Sequence, residues 1–194
     1  MTKEKLTRFL QSNGLISQAQ AEDIIQDFVA YTISKNDFLL QAGTVSDDYF
    51  FLDSGFMRAF AYDTEGNDVS TGFYASGQVV FEVASFFNRT PSSEYIQALT
   101  ACQGWSISHR QLNALFHERM EFREFGRSML VRGFAALKGR SMLAMITEPT
   151  AARYESLLKA NPDILQHAPL KNVASYLGIT DTSLSRIRKG KPRA

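Results

Sequence analysis

The first part of the chain alternates single apolar residues with charged and polar ones at helical spacing. This pattern predicts two short helices between Lys5 and Phe28. Ser17 and Gln20 stand three positions apart, the spacing of a capping box at the start of the second helix. We expect these two helices to cap the element that follows them.

From about Val29 to Ser108 the pattern changes to short β-prone runs. The predicted strands are Val29 to Ile33, Phe38 to Gln41, Tyr49 to Leu52, Phe56 to Tyr62, Val69 to Tyr74 and Tyr95 to Leu99. Turn-forming Gly, Asn and Asp separate them, and such spacing predicts an antiparallel sandwich or barrel. We expect a small jelly roll. Its predicted core, favoured over a haem or ligand pocket, is aromatic: Phe50, Phe51, Phe56, Phe60, Phe73, Tyr74, Phe81, Phe86 and Phe87.

Apolar residues then recur at spacings of three and four from Arg110 to about Met145, which predicts one long helix over about 110–146. One face is expected to pack on the barrel. The second face suits a close contact between two copies of the helix in a homodimer. Its residues are Gly126, Leu130, Gly133, Leu137, Ser141 and Ala144. A wholly buried core helix is the alternative, and a break at one of the glycines would be compatible with either.

Glu148, Pro149 and Thr150 interrupt this helix, because proline disfavours helical geometry at the residue before it. The predicted domains are therefore 1–148, the barrel with the long dimer helix, and 149–194, a small helical domain. Within the second, we predict a helix from Ala151 to Lys159 and expect Pro169 in the first turn of a later helix.

The segment after Pro169 has the pattern of a helix-turn-helix. Apolar residues line one face of the first helix, at positions Leu170, Val173, Ala174 and Leu177. Gly178 suits a tight helix exit, and Thr180 suits the N-cap of a second helix whose apolar stripe is Leu184 and Ile187.

The opposite face of the second helix is polar and basic, with side chains that can enter a major groove and hydrogen-bond base edges. These side chains are Asp181, Thr182, Ser183, Ser185, Arg186 and Lys189. The predicted contacts to the DNA backbone are Lys171, Thr180, Ser183, Ser185, Arg188, Lys189, Lys191 and Arg193. A helical hairpin with a solvated basic tail is the alternative.

Charge supports an anionic partner for this end of the chain. The formal net charge is +1, but 170–194 holds six basic residues and one acidic residue, which leaves the rest of the chain mildly acidic. The single cysteine, Cys102, excludes a disulfide within the chain and any metal or iron–sulfur site built from several cysteines of one subunit. No signal peptide or membrane span is predicted, so we expect a soluble, cytoplasmic protein without a membrane partner.

These features together resemble the Crp/Fnr family of transcription regulators over nearly the whole chain. The motif that carries the resemblance is Val173-Ala-Ser-Tyr-Leu-Gly-Ile-Thr-Asp-Thr-Ser-Leu-Ser-Arg-Ile187. The resemblance implies an α+β fold: a double-stranded β-helix (jelly-roll, cyclic nucleotide-binding-like) barrel with capping helices, a long dimer helix and a C-terminal helix-turn-helix domain. It implies base contacts by Asp181, Thr182 and Arg186. Family members continue into a β-wing, which we expect to be missing after Lys189.

The sensor domain is similar to a cyclic nucleotide-binding domain, whose phosphate cassette has Gly-Glu and later an arginine followed by Ser or Thr. The possible effector pocket is Phe81, Glu82, Arg89, Ser92 and Ser93. Phe81 replaces the glycine, Ser92 replaces the phosphate-pairing arginine, and Glu94 adds a negative charge. We therefore predict weak or no cyclic AMP binding, no cofactor and an unknown effector, although Arg89 could restore the lost charge.

A metal-dependent cupin enzyme is the rival class for such a barrel, but His109, His117 and His167 lack the ligand spacing. We expect no catalytic residue, no metal and no enzymatic activity. The expected partners are double-stranded DNA, a second copy of the chain and RNA polymerase. The alternative function is a constitutive dimeric binding module with no ligand and no sequence-specific DNA recognition.

Overall fold

The structure is a computed structural model that describes residues 2–140 and 147–190. Its strands are β1 Val29–Ile33, β2 Phe38–Leu40, β3 Asp48–Ser54, β4 Phe56–Tyr62, β5 Asp68–Ala75, β6 Val79–Val80, β7 Tyr95–Ala98 and β8 Cys102–Ser108. Its helices are α1 Glu4–Leu10, α2 Gln18–Ile24, α3 Val83–Asn88, α4 His109–Glu118, α5 Met120–Arg140, α6 Thr150–Ala160, α7 Ile164–His167, α8 Leu170–Tyr176 and α9 Asp181–Lys189, with a 3-10 turn over Ile25–Asp27.

The strands form two four-stranded antiparallel sheets, which we name sheet A, in the order β1-β8-β3-β6, and sheet B, in the order β2-β7-β4-β5. Alternate side chains of each sheet face its partner and close a core between them. That core contains Phe50, Leu52, Met57, Val80, Ile96 and Cys102. The predicted jelly-roll barrel is thus confirmed, and it is the fold's central element.

The N-terminal helices and the helices after β8 cover the outer face of sheet A. Phe51, Trp105 and Ile107 of that face pack in one apolar cluster with Leu6 of α1 and Phe125 of α5. The predicted capping box is confirmed, because the Ser17 side chain accepts from the Gln20 amide and the Gln20 side chain accepts from the Ser17 amide. These contacts give the short helices a fixed position on the barrel.

The expectation of one continuous helix over about 110–146 is wrong in the described residues. The chain breaks between α4 and α5 at Arg119, which has extended backbone angles. The break folds α4 against α5, and a Cβ added at Gly126 would meet the Phe116 ring at 2.3 Å. Gly126 therefore provides room for an aromatic ring of its own chain, not for a second copy.

The exposed apolar face of α5 lies further along the helix. Leu130, Val131 and Phe134 are 46%, 60% and 71% exposed, and nothing lies within 4 Å of a Cβ added at Gly133. The side chain of Leu137, together with Ser141 and Ala144, lies outside the described residues. Of the residues predicted for the dimer face, Leu130 and Gly133 are therefore accessible, whereas Gly126 is covered by Phe116.

The C-terminal helices pack on the outer face of sheet B, a contact that the sequence pattern did not predict. Phe56 and Phe73 of the sheet belong to one buried cluster with Tyr154 of α6, Ile164 of α7 and Val173 of α8. The prediction that Phe56 and Phe73 fill the barrel is thus corrected, since they face the helices. Phe87 is 41% exposed and is not core either.

The prolines and one helix also differ from the prediction in detail. Pro149 and Pro169 occupy the N-cap positions of α6 and α8, one residue before the first turn in which Pro169 was expected. The short helix α7 was not predicted. Among the described residues no helix is long and apolar enough to cross a membrane.

Candidate functional site

The turn between α8 and α9 is built as the sequence pattern predicts. Gly178 has a positive φ of 67°, a conformation that a side chain disfavours. The Ile179 amide then donates to the Ala174 carbonyl at 3.0 Å, and the Thr180 hydroxyl accepts from the Ser183 amide at 3.2 Å. Leu184 is fully buried between the helices. These contacts fix the angle at which α9 leaves the turn.

The polar face of α9 is open to solvent. The three predicted base contacts, Asp181, Thr182 and Arg186, are all exposed, and α8 covers none of them. Within 2–140 and 147–190, the Arg186 guanidinium has no ion pair. A free guanidinium on an exposed helix can form the bidentate bond by which arginine recognises guanine.

The predicted backbone contacts surround this face only in part. Lys171, Thr180, Ser185, Arg188 and Lys189 are exposed, and Ser183 is half-buried beneath its bond with Thr180. Lys191, Arg193 and the expected missing wing lie outside the described residues. Asp181 in the first turn of α9 and the basic residues in its last turn follow the helix dipole.

The barrel cassette is occupied by contacts of the chain itself. The Glu82 carboxylate caps α3, accepting from the Ala84 amide at 2.9 Å and the Ser85 amide at 2.6 Å. Phe81, where a glycine would be needed, packs its ring against Tyr49 and Phe86. The Glu82 carboxylate and the Phe81 ring are therefore both engaged by groups of the chain itself.

The Arg89 side chain is held by Ser46 and Asp47. Arg89 has left-handed backbone angles and donates to the Ser46 carbonyl at 2.9 Å and to the Asp47 carboxylate at 2.6 Å. The buried Ser92 hydroxyl donates to the Glu94 carbonyl and accepts from its amide, both at 3.0 Å, while Ser93 is exposed. Arg89 and Ser92, two of the predicted pocket residues, are thus engaged by other groups of the chain.

Two carboxylates and a tyrosine interact electrostatically at the same end of the barrel. Burial raises the pKa of the Glu94 carboxyl, the Thr71 hydroxyl lowers it and the nearby Glu82 charge raises it again. Burial, with the charges of Glu94 and Glu82, also raises the pKa of Tyr74 to about 12. The charges of Glu82 and Glu94 therefore repel each other at this end of the barrel.

A cavity of about 240 Å³ lies beside this region. It is lined by Phe38, Leu39, Leu40, Gln41, Thr44, Val45, Ser46, Asp47, Asp48, Phe81 and Ile96. Of the predicted pocket residues it includes Phe81 alone. The residues of β2 and its following loop carried no motif that could have identified them from the sequence.

A buried arginine lies at the junction of sheet B and α8. Arg58 on β4 has a side chain 3% exposed and forms two bonds to Asp68, at 3.0 and 3.2 Å, with a third to Ser70 at 2.8 Å. Its guanidinium stacks on Phe60, and it lowers the pKa of Asp68 through hydrogen bonding, against the opposing effect of burial. Sequence reasoning missed this residue, although a lone arginine in an apolar strand was the available signal.

The three histidines are not brought together. The His109 ring packs on Phe86 and the His167 ring on Phe56, at opposite faces of the barrel. No group of three or more potential ligands forms a metal site in the described parts of the chain.

Comparison with known proteins supports the fold of the barrel. Residues 31–119 match the family described as the cyclic nucleotide-binding domain. No curated protein sequence matches the chain.

Solved structures share the fold over most of the chain. FixK2 from Bradyrhizobium japonicum has a TM-score of 0.71 at 13% identity, covering 84% of this chain and 83% of its own. The c-di-GMP responsive global regulator CLP of Xanthomonas campestris has a TM-score of 0.67 at 13% identity, covering 92% and 96%. The catabolite activator protein of Thermus thermophilus has a TM-score of 0.61 at 14% identity, covering 93% and 85%. Residues 31–119 are therefore similar to the cyclic nucleotide-binding domain, and the chain shares its fold with these three proteins.

Proposed function

We propose that the chain is a sequence-specific DNA-binding transcription regulator of the Crp/Fnr type, acting as a homodimer in the cytoplasm and having no enzymatic activity. Helix α9 enters the major groove, Arg186 pairs with a guanine, and Asp181 and Thr182 contact neighbouring bases. The observation that carries the proposal is Arg186, which is exposed and has no ion pair within the described parts of the chain, on a helix whose start is fixed by Gly178 and Thr180.

The second copy is proposed to bind along α5. Leu130, Val131 and Phe134 form an exposed apolar stripe on that helix, and burying it against its own copy removes it from water. Two copies related by a two-fold axis would bind a palindromic site, with one α9 in each half-site. We expect RNA polymerase to be the protein partner of the DNA-bound dimer.

The barrel is proposed to be a degenerate sensor that does not take cyclic AMP. Glu82 is engaged by the α3 amides, Arg89 is engaged by Asp47, and Glu94 opposes a phosphate. A lost charge-assisted hydrogen bond to the phosphate costs about 1.5–3 kcal/mol, equivalent to a loss of about ten- to a hundredfold in affinity. The effector, if cationic or neutral, would avoid this penalty.

Selection from random double-stranded DNA tests the proposal. Wild type and Arg186→Ala are compared at low and near-physiological salt, with Arg8→Ala on α1 as a control that removes the same charge from another exposed site. We expect wild type and Arg8→Ala to enrich the same two-fold-symmetric site and Arg186→Ala to lose it.

Recovery of no site, or of salt-sensitive binding that Arg186→Ala leaves unchanged, contradicts the proposal. That second result favours the alternative of a constitutive dimeric module whose basic end binds DNA without sequence recognition. Titration with labelled cyclic AMP, monitored by anisotropy, tests the barrel separately, and we expect no saturable binding.

A further inference from the structure

Strand β1 is an exposed edge of sheet A. In the described parts of the chain it pairs with β8 alone, and its other side faces no strand. Val29 is 61% exposed and Tyr31 is 42% exposed. Ala30 and Thr32 are exposed as well. The backbone groups on the free side of β1 are therefore open to pairing with a strand of another chain.

The other three edges of the two sheets are short, irregular or covered. Strand β6 has two residues, and the three residues of β2 pair with β7 through a register shift. Helix α8 packs at the edge of β5, where the Ser70 amide donates to Ser175 Oγ at 3.1 Å. In contrast, β1 pairs with β8 in unbroken register over five residues and contains no charge, glycine or proline. An edge without these protective features favours a partner strand.

The sequence around β1 is complementary to a second copy of itself. In an antiparallel pair the residues whose backbone groups face the partner stand opposite each other, and such residues alternate along each strand. A two-fold axis between two β1 strands must therefore pass through a residue. With the axis at Tyr31, Asp27 of each copy stands opposite Lys35 of the other. Both side chains are exposed and have no ion pair within the described residues.

The two neighbouring registers lack this match. With the axis at Ala30, Asp27 would stand opposite Ile33. With the axis at Thr32, Asp27 would stand opposite Asp37, a residue of the same charge. Opposite charges across a strand pair stabilise it and like charges destabilise it. Charge therefore selects the register centred on Tyr31.

The same register brings together residues that favour strand pairing. It places Val29 opposite Ile33, both β-branched, and Tyr31 opposite its own copy. Such β-branched and aromatic pairs stabilise antiparallel strands. The Tyr31 ring already packs edge-on against Phe50, with ring centroids 6.0 Å apart. It therefore loses little conformational freedom when a second strand is added.

We propose that two copies of the chain associate through β1, antiparallel about a two-fold axis at Tyr31, and thereby join their A sheets into one continuous sheet. This contact uses other residues than the exposed stripe of α5, so a chain that uses both contacts assembles beyond a dimer. A pair of five-residue strands buries less than a standard interface, so the association is weak and depends on concentration. The proposal does not rest on DNA recognition by α9.

Sedimentation velocity in the absence of DNA measures this association. Phe134 is 71% exposed on α5, so Phe134→Glu removes the α5 contact and leaves the β1 contact. In this background we expect the sedimentation coefficient to rise between about 1 and about 500 μM protein, the range of a weak interface. Hydrogen exchange of the β1 amides should slow over the same range, because the free edge becomes paired. Circular dichroism shows whether each variant is folded.

Reversal of single charges in the same background tests the register. Asp27→Lys places lysine opposite lysine twice, Lys35→Asp places aspartate opposite aspartate twice, and each should lower the association constant about tenfold or more. The double variant Asp27→Lys/Lys35→Asp restores opposite charges, and so does an equimolar mixture of the two single variants. Both should associate like the parent. Glu65→Lys in the β4–β5 turn and Lys159→Asp on α6 make the same changes of charge at other exposed sites, and neither variant, alone or mixed, should alter the association.

The outcomes decide the β1 contact apart from the proposed function. Weakening by both reversals, with recovery in the double variant and in the mixture, supports the proposal. Absence of association in Phe134→Glu contradicts it and leaves the edge open to a strand of another protein. Association that the reversals leave unchanged, or weakening without recovery, contradicts it too, because the two charges then do not face each other. Selection of DNA by α9 can succeed or fail independently of each of these results.

Discussion

Gly104 in β8 gives the sharpest test of the packing between β3 and β8. A Cβ at this position would lie 2.1 Å from the Phe51 carbonyl oxygen and 2.6 Å from two carbons of the Phe50 ring. Phe50 is fully buried, so its ring cannot move into solvent. The substitution Gly104→Ala therefore has to displace backbone or core.

The size of the effect follows from these contacts. Overpacking of a buried ring costs about 1–3 kcal/mol, and separation of β8 from β3 loses one or two hydrogen bonds worth about 1 kcal/mol each. Alanine also restricts the unfolded chain more than glycine does, which raises the free energy of unfolding by about 0.4–1 kcal/mol. We expect Gly104→Ala to lower the free energy of unfolding by about 3 kcal/mol, from the sum of these effects.

Gly72→Ala in β5 is the matched control, because its added Cβ would meet Tyr74 and Ala59 at ordinary distances of 3.5–3.7 Å. It should raise stability by about 0.5 kcal/mol through the unfolded chain alone. Urea unfolding, monitored by far-UV circular dichroism and by the fluorescence of the single tryptophan, Trp105, gives both values. Equal stability of the two variants would refute the packing described here.

Three further predictions concern single interactions. Glu94→Gln should raise the free energy of unfolding at neutral pH. The raised pKa of Glu94 makes the stability of the wild type fall as pH rises above 4.5, the ordinary pKa of this carboxyl, so the gain measured by urea unfolding should vanish below that pH. Arg58→Leu should lower the free energy of unfolding by about 2 kcal/mol, since Asp68 loses its partner, and the fall in stability at acid pH that comes from the lowered pKa of Asp68 should disappear. In a double-mutant cycle, Arg58→Leu/Asp68→Asn should recover part of the roughly 2 kcal/mol. Thr180→Ala should lower the free energy of unfolding by about 1 kcal/mol, because it removes the N-cap of α9, and should speed hydrogen exchange of the first α9 amides. Thr64→Ala in the exposed β4–β5 turn is the control and should change neither the stability nor these exchange rates.

The periodicity of the chain predicted most of the strands and helices. Strands β1 and β4 have the bounds expected from their β-branched and aromatic runs. Strands β8 and β6 were not predicted. In β8, Gln103, Gly104 and Ser106 interrupt the apolar pattern, and β6 is only two residues long. In β8 it is pairing with both β1 and β3, and not local propensity, that sets the conformation.

The break at Arg119 had no local signal, since neither glycine nor proline stands there. Tertiary packing decides it: Phe116 of α4 folds back on Gly126 of α5, and its ring also contacts Phe122. One of the regularly spaced glycines in α5, Gly126, therefore makes room for a contact within the chain.

The candidate site was predictable where local geometry determines it. Gly178, Thr180 and Leu184 have the conformation, hydrogen bond and burial that the helix-turn-helix pattern requires. The hydrogen-bond partners of Arg89 were less predictable, because Ser46 and Asp47 lie more than forty residues earlier in the chain. No sequence spacing reports such a contact.

The most direct test of the central claim is the relative affinity of wild type and Arg186→Ala for every single-base variant of the selected DNA site. If Arg186 reads a base, wild type discriminates at one base pair of each half-site by about 1–3 kcal/mol, and the variant loses discrimination at that pair while keeping it elsewhere. If the variant instead weakens binding to all sequences equally, or leaves the profile unchanged, Arg186 does not read DNA and α9 is not the recognition helix proposed here.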